Sequence, residues 1–195
     1  MSFEHWICGI MVLMEGGLKR SQFFTLFFVI VLISFLTSCS PSIPVENQKT
    51  PVKLNKFFIQ VIDGDTILYR GVYMRFLGVD TPEIRNPERG IYSDQPFGRK
   101  AKSFTLSQIK GAKEVTYVSD GRDKYGRLLV HIFVDGYPLS LKLVEEGLAY
   151  ETVSIFGDNG FPEIARRILL ASKLHEKLPF ENPYYWRKKN RVSKL

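Results

Sequence analysis

The sequence predicts an α+β fold: a small five-stranded barrel carrying about three helices, behind an apolar leader. Three observations predict it. Five short stretches of strand composition lie between residues 57 and 134. A stretch with helical spacing interrupts them after the third, and two more helical stretches follow the fifth.

Residues 57–62 (FFIQVI) read as the first strand, and Asp63-Gly64-Asp65 as a tight turn. Residues 66–70 and 73–79 are the next two strands, joined at Gly71-Val72. Residues 98–110 place Ala101, Phe104, Leu106 and Ile109 at mostly helical spacing. Residues 114–118 are a fourth strand, and 127–134 a fifth, closed by Asp135-Gly136. PLSLKLVEEGLA then reads as a short helix with Pro138 near its start and Gly147 as its stop. Residues 161–177 form a last amphipathic helix opening with Pro162 and Glu163. A helix inserted after the third of five strands fits a barrel of the OB type.

Before this domain, Lys19-Arg20 precede an uncharged apolar run that ends in Leu36-Thr37-Ser38-Cys39. A basic start, an apolar centre and small residues are the layout of an export signal. Cys39 stands where a lipoprotein signal places the cysteine that is lipidated. The competing reading is an uncleaved membrane anchor, since residues 21–45 carry no charge and a span needs roughly 20 apolar residues. Both readings place the domain outside the cytoplasm, in the cell envelope or secreted. The expected organisation is a leader at 1–39, a linker at 40–56, the folded domain at 57–178 and a basic aromatic tail at 179–195. The tail is expected to be solvated and frayed rather than to hold substrate.

The chain has 195 residues and a net charge of +7. Glu4, Glu15, Lys19 and Arg20 cancel, so everything after the leader's basic pair holds the whole excess. A basic domain favours polyanions such as nucleic acid or an anionic membrane. Cys8 and Cys39 lie outside the expected domain, and His5, His131 and His175 share no ligand-like spacing. A disulfide framework and a cysteine zinc site are thereby excluded, and any metal must be held by oxygen. His131, inside RLLVHIFV, reads as a satisfied strand histidine.

Pairing the second and third strands around Gly71-Val72 makes opposed positions sum to about 143. Asp63 then lies roughly opposite Asp80, with Asp65 close by. Converging carboxylates repel and are costly to desolvate unless something cationic compensates. A hard divalent cation would do so; calcium suits the ligand type, and magnesium or manganese remain open. Arg75 stands in an otherwise apolar strand and needs an anion, either a substrate phosphate or a neighbouring carboxylate. Pro82 holds Glu83 beyond the strand end, within a water's reach of such a metal. In Asp123-Lys124-Tyr125-Gly126-Arg127, Gly126 permits a turn that presents Arg127 at a strand start, where a guanidinium fork suits phosphate oxygens.

In order along the chain, VIDGDT, RFLGVDTPE and DKYGR resemble the three signature blocks of the thermonuclease (staphylococcal nuclease) family. QPFGRKAKSF and LVEEGLA resemble two further family segments, so the likeness runs from about Phe57 to about Lys177. The resemblance implies an OB-fold nuclease with one bound calcium, cutting DNA and RNA with little sequence preference and leaving 3′-phosphates. It implies that Asp65 and Asp80 ligate the metal through carboxylates and Thr81 through its carbonyl. Glu83 would activate or orient the attacking water, and Arg75 and Arg127 would clamp the scissile phosphate. Lys124 and Tyr125 would hold the nucleotide's phosphate; Asp63 would lie near the metal without binding it. One departure stands out: the family's two nucleotide-flanking tyrosines match Val153 and Ile155 here, with Tyr150 and Phe156 nearby. The rival expectations are a nucleic-acid-binding OB module without catalysis and an envelope lipoprotein with a structural role.

Overall fold

The computed structural model describes residues 49–190; the leader with Cys39, and residues 191–195, lie outside the described residues. Phe57 and Phe58, expected as strand, join Lys56 in a single 3-10 turn, because the Asn55 side chain accepts a bond from the Phe57 N–H (3.1 Å) and turns the chain. Phe57 and Phe58 are exposed in consequence. Strand β1 is Val52–Leu54, inside the stretch read as linker: Leu54 is buried while Lys53 pairs with Glu114 at the surface (2.9 Å). That alternation over three residues is too short to stand out from a tether.

β2 (Ile59–Val61), β3 (Thr66–Tyr69) and β4 (Val72–Phe76) follow as antiparallel neighbours. The β3–β4 turn is Arg70-Gly71, both with positive φ (47° and 85°), the mirror-image turn that matches strand twist. Tyr69 therefore faces Val72 and Thr66 faces Arg75, so opposed positions sum to 141 and not 143. Asp80 is accordingly not across from Asp63. Gly78 breaks the expected third strand, and β5 (Val79–Asp80) turns away to pair with β9 (Tyr150–Glu151).

β6 (Val115–Arg122) and β7 (Leu128–Val134) complete the sheet, with β8 (Tyr137–Pro138) folding back on β7. The order is β1-β6-β7-β4-β3-β2, and β4 and β7 run parallel. The sheet curls into a half-barrel of the OB type, as expected. Ile67, Met74, Phe76, Leu128 and Ile132 are fully buried in the core, each worth roughly 1.5–3 kcal/mol of burial. His131 is buried too, with Ser140 Oγ 3.5 Å from Nδ1 and the Phe161 ring edge-on at 4.9 Å.

Five α-helices occur among the described residues: α1 (Gly98–Gly111), α2 (Leu139–Glu145), α3 (Val153–Phe156), α4 (Pro162–Ser172) and α5 (Pro183–Asn190). α4 stops five residues short of the expected end, closing on 3-10-type bonds from Lys173 and Leu174, and His175 Nε2 lies 3.0 Å from the Glu145 carbonyl oxygen. The largest difference is α5. Its residues were expected to fray, yet Pro183 and Trp186 are buried and the segment before it packs Phe180 against Phe97 and Tyr150. Basic residues crowd the helix surface, so its apolar anchors are masked in composition.

Candidate active site

The loop between β2 and β3 is built around Asp63, whose Oδ1 accepts the Asp65 N–H (3.1 Å). Gly64 is required here by contact: a Cβ would sit 2.7 Å from Thr81 Oγ1 and 2.8 Å from Ala101 Cβ. The Gly64 carbonyl in turn accepts from Thr105 Oγ1 (2.6 Å), which docks the loop on α1. Asp65 is completely buried, and its Oδ2 receives both the N–H (2.6 Å) and the hydroxyl (2.8 Å) of Thr81. The acids thus converge, though through Thr81 and Arg75 instead of across the hairpin.

Arg75 is the hub. Its guanidinium contacts Asp65 through Nη1, and through Nη2 it donates to Asp80 Oδ1 (2.8 Å) and the Val79 carbonyl (3.1 Å). Both of these carboxylates are its neighbours in the fold. Burial drives the Asp80 carboxyl upward, but Arg75 and Arg187 outweigh it and hold the group below the usual range. Burial raises Asp63, against the opposing field of Arg75.

Glu83 is held from both sides by Gln95. The Glu83 N–H donates to Gln95 Oε1 (3.1 Å), and the Glu83 carbonyl accepts from the Gln95 N–H (2.9 Å). Gly98 leaves room for that carbonyl, since a Cβ there would come within 2.3 Å of it. Burial lifts the Glu83 carboxyl above its ordinary value; Arg187 partly opposes this. Gln95 is itself buried and donates to the Glu181 carbonyl (2.6 Å), tying the site to the C-terminal segment.

Arg127 is positioned by Asp123, which accepts its backbone N–H (3.0 Å) and its Nε–H (2.7 Å). Lys124 sits over the Tyr125 ring at 5.2 Å. Arg75, Glu83, Lys124, Tyr125 and Arg127 line one cleft of about 780 Å³, with Asp63 beside them. Asp65, Asp80 and Thr81 are buried behind them.

Two participants escaped the sequence reading: Gln95 and Arg187. Arg187 forks onto Asp80 with Nη2 to Oδ2 (2.8 Å) and Nη1 to Oδ1 (3.1 Å), and Nη1 also donates to Glu83 Oε1 (2.6 Å). These carboxylates hold the guanidinium firmly protonated despite its burial. No motif marks Arg187 in the sequence, where it is one of several basic residues after Trp186.

The donor chemistry at this site is all oxygen, and the two buried carboxylates of Asp65 and Asp80 are ligands of the type a hard divalent ion takes. In the structure the carboxylate oxygens of Asp65, Asp80 and Glu83 are directed at hydrogen-bond donors of Arg75, Arg187 and Thr81. No group of three or more His, Cys, Asp or Glu is disposed around a metal position among the described residues. Metal ligation by Asp65 and Asp80 therefore requires exchange of arginine contacts.

The curled OB-type half-barrel gathers buried acids and arginines at one cleft. Residues 73–163 match the family model described as staphylococcal nuclease homologue. The chain is 33% identical over 112 residues to the thermonuclease of Staphylococcus intermedius, covering 54% of this chain and 65% of that one. It is 32% identical over 126 residues to the thermonuclease of Staphylococcus hyicus, covering 62% and 72%. It is 39% identical over 110 residues to the endonuclease YncB of Bacillus subtilis, covering 53% and 50%. The chain belongs to the staphylococcal nuclease family, and these relatives support a nuclease function.

Proposed function

We propose that this protein is a calcium-dependent endonuclease that hydrolyses phosphodiester bonds in DNA and RNA and leaves 3′-phosphates. The observation that carries the proposal is the convergence of Arg75, Glu83, Lys124, Tyr125 and Arg127 on one cleft over buried Asp65, Asp80 and Thr81. When bound, calcium supplies Lewis-acid and template chemistry, and Asp65, Asp80 and the Thr81 carbonyl would hold it.

The chain's own groups account for the remaining demands of the reaction. Water must lose a proton as it attacks phosphorus, and Glu83 is a half-buried carboxylate with a raised proton affinity, suited to accept that proton. Charge accumulates on the phosphoryl oxygens, and preorganised guanidiniums oppose it; Arg127, oriented by Asp123, and Arg75 fill this role. Gln95 and Gly98 keep Glu83 in place. Recognition falls on the phosphodiester, so little base preference is expected. The apolar stretch ending at Cys39 further supports export and a lipid anchor, as a proposal from sequence alone.

The test is hydrolysis of single-stranded DNA by the purified protein, with added calcium and then with excess chelator. Cutting should require calcium, and Glu83→Gln and Arg127→Ala should each lower kcat by about 10²–10⁴. A folded protein that binds DNA but cuts it with no divalent metal would sink the proposal and leave a binding module.

A further inference from the structure

The family's nucleotide-flanking aromatics are absent here: Val153 is buried and Ile155 is an exposed aliphatic. The cleft nevertheless has an aromatic on the far side from the barrel. Tyr184, Arg187 and Lys188 stand at i, i+3 and i+4 on α5, hence on one face of the helix, and all three line the cleft. Buried Trp186 anchors the opposite side of the helix, with buried Pro183 on its flank.

Tyr184 is 55% exposed, and the Lys188 ammonium lies 5.7 Å from its ring centroid. The barrel side of the cleft repeats this pairing: Lys124 over Tyr125 at 5.2 Å and Arg89 over Tyr73 at 5.8 Å. An exposed ring flanked by a cation offers a face for a base and a charge for the adjoining phosphate. That combination is how proteins bind single strands without reading sequence. A duplex keeps its base faces stacked internally and cannot use such a ring.

Resting on the nuclease reading above, we propose that α5 is the second wall of the substrate cleft. In it, Tyr184 with Lys188 forms a stacking and phosphate subsite for an unpaired nucleotide flanking the cleaved bond. In the metal-free protein Arg187 positions the wall by gripping Asp80 and Glu83.

The test measures binding of a fluorescein-labelled oligothymidylate to the full chain in excess chelator, so that no cutting intervenes and failure of the nuclease reading does not affect the result. Tyr184→Ala should weaken binding about five- to a hundredfold, while Tyr184→Phe retains it. A duplex of equal length should lose much less. Phe57→Ala removes a more exposed ring outside the cleft lining and should change nothing. Lys188→Gln, a solvent-exposed change that leaves the anchors intact, should lower the slope of log affinity against log salt by about 0.7. Unchanged oligothymidylate affinity in Tyr184→Ala, equal losses for single strand and duplex, or an unchanged salt slope in Lys188→Gln would each overturn the subsite. In a cutting enzyme, Tyr184→Ala should raise KM for single strands by more than it lowers kcat.

Discussion

The two walls of the cleft differ in what holds them. The barrel wall rests on hairpin register, the loop around Asp63, and a core that buries Ile67, Met74 and Phe76 directly beneath it. The C-terminal wall is one short helix, pinned by Trp186, by Phe180 just before it, and by the Arg187 fork across more than a hundred residues of chain. Isolated helices of this length are marginal in water, so α5 exists because it is docked. The contrast teaches that the two sides can respond separately: the barrel wall should fail only with the whole domain, whereas the C-terminal wall can detach alone.

Arg75→Ala is the strongest way to probe the first half of that contrast. It strips the central cation from Asp65, which has a 1% exposed side chain, and weakens the hold on Asp80. Breaking a buried pair from one side costs about 3–5 kcal/mol, and a urea titration should show a loss of that size across the whole domain. A loss below about 1 kcal/mol would mean that the barrel wall is not anchored through this arginine.

His131 gives the next largest effect and reports on the barrel alone. Burial, aided by Lys49, lowers its pKa to about 4, so the folded state keeps it neutral where an unfolded chain binds a proton. Its contribution is fully present above about pH 6.5 and is lost as pH falls from there toward 4, by up to roughly 3 kcal/mol. His131→Leu should flatten the dependence of stability on pH within that window. A mutant curve parallel to the wild-type curve would remove the histidine from the account.

Gly98→Ala sharpens the comparison at the seam. Its Cβ would collide with the Glu83 carbonyl oxygen, an overpacking that costs about 1–3 kcal/mol. Activity should drop by more than stability alone explains, because Glu83 is displaced. Wild-type turnover in a stably folded Gly98→Ala protein would show that the loop absorbs the clash without moving the carboxylate.

The smallest global effect is expected from Arg187→Ala, about 1 kcal/mol or less in the urea midpoint, because Asp80 keeps Arg75 and the lost ion pair is partly solvated. Amide exchange in α5 should nonetheless accelerate well beyond that of β7. A loss matching that of Arg75→Ala, with α5 and the barrel exchanging together, would erase the distinction between the walls.

Much of the barrel wall was legible because its information is local. Asp63-Gly64-Asp65, Arg75 to Glu83 and Asp123 to Arg127 each occupy a few consecutive residues, and turn chemistry and strand alternation carry them to one end of the barrel. Even there the register was misjudged by two positions, because Arg70 accepts a left-handed conformation that residue type alone disfavours. β1 was missed for want of length, and α5 because its two apolar anchors are set among cations.

The sequence by itself determined the OB-type α+β fold and the family, since these follow from short-range pattern and from the order of a few motifs. Only the tertiary structure decided that Arg75 joins Asp65 to Asp80, that Gln95 brackets Glu83, and that the tail returns to set Arg187, Tyr184 and Lys188 against the barrel. Those contacts link residues far apart in the chain, and no local propensity encodes them. They arise where buried charge must find its partner, and the partner is chosen by what packing brings within reach.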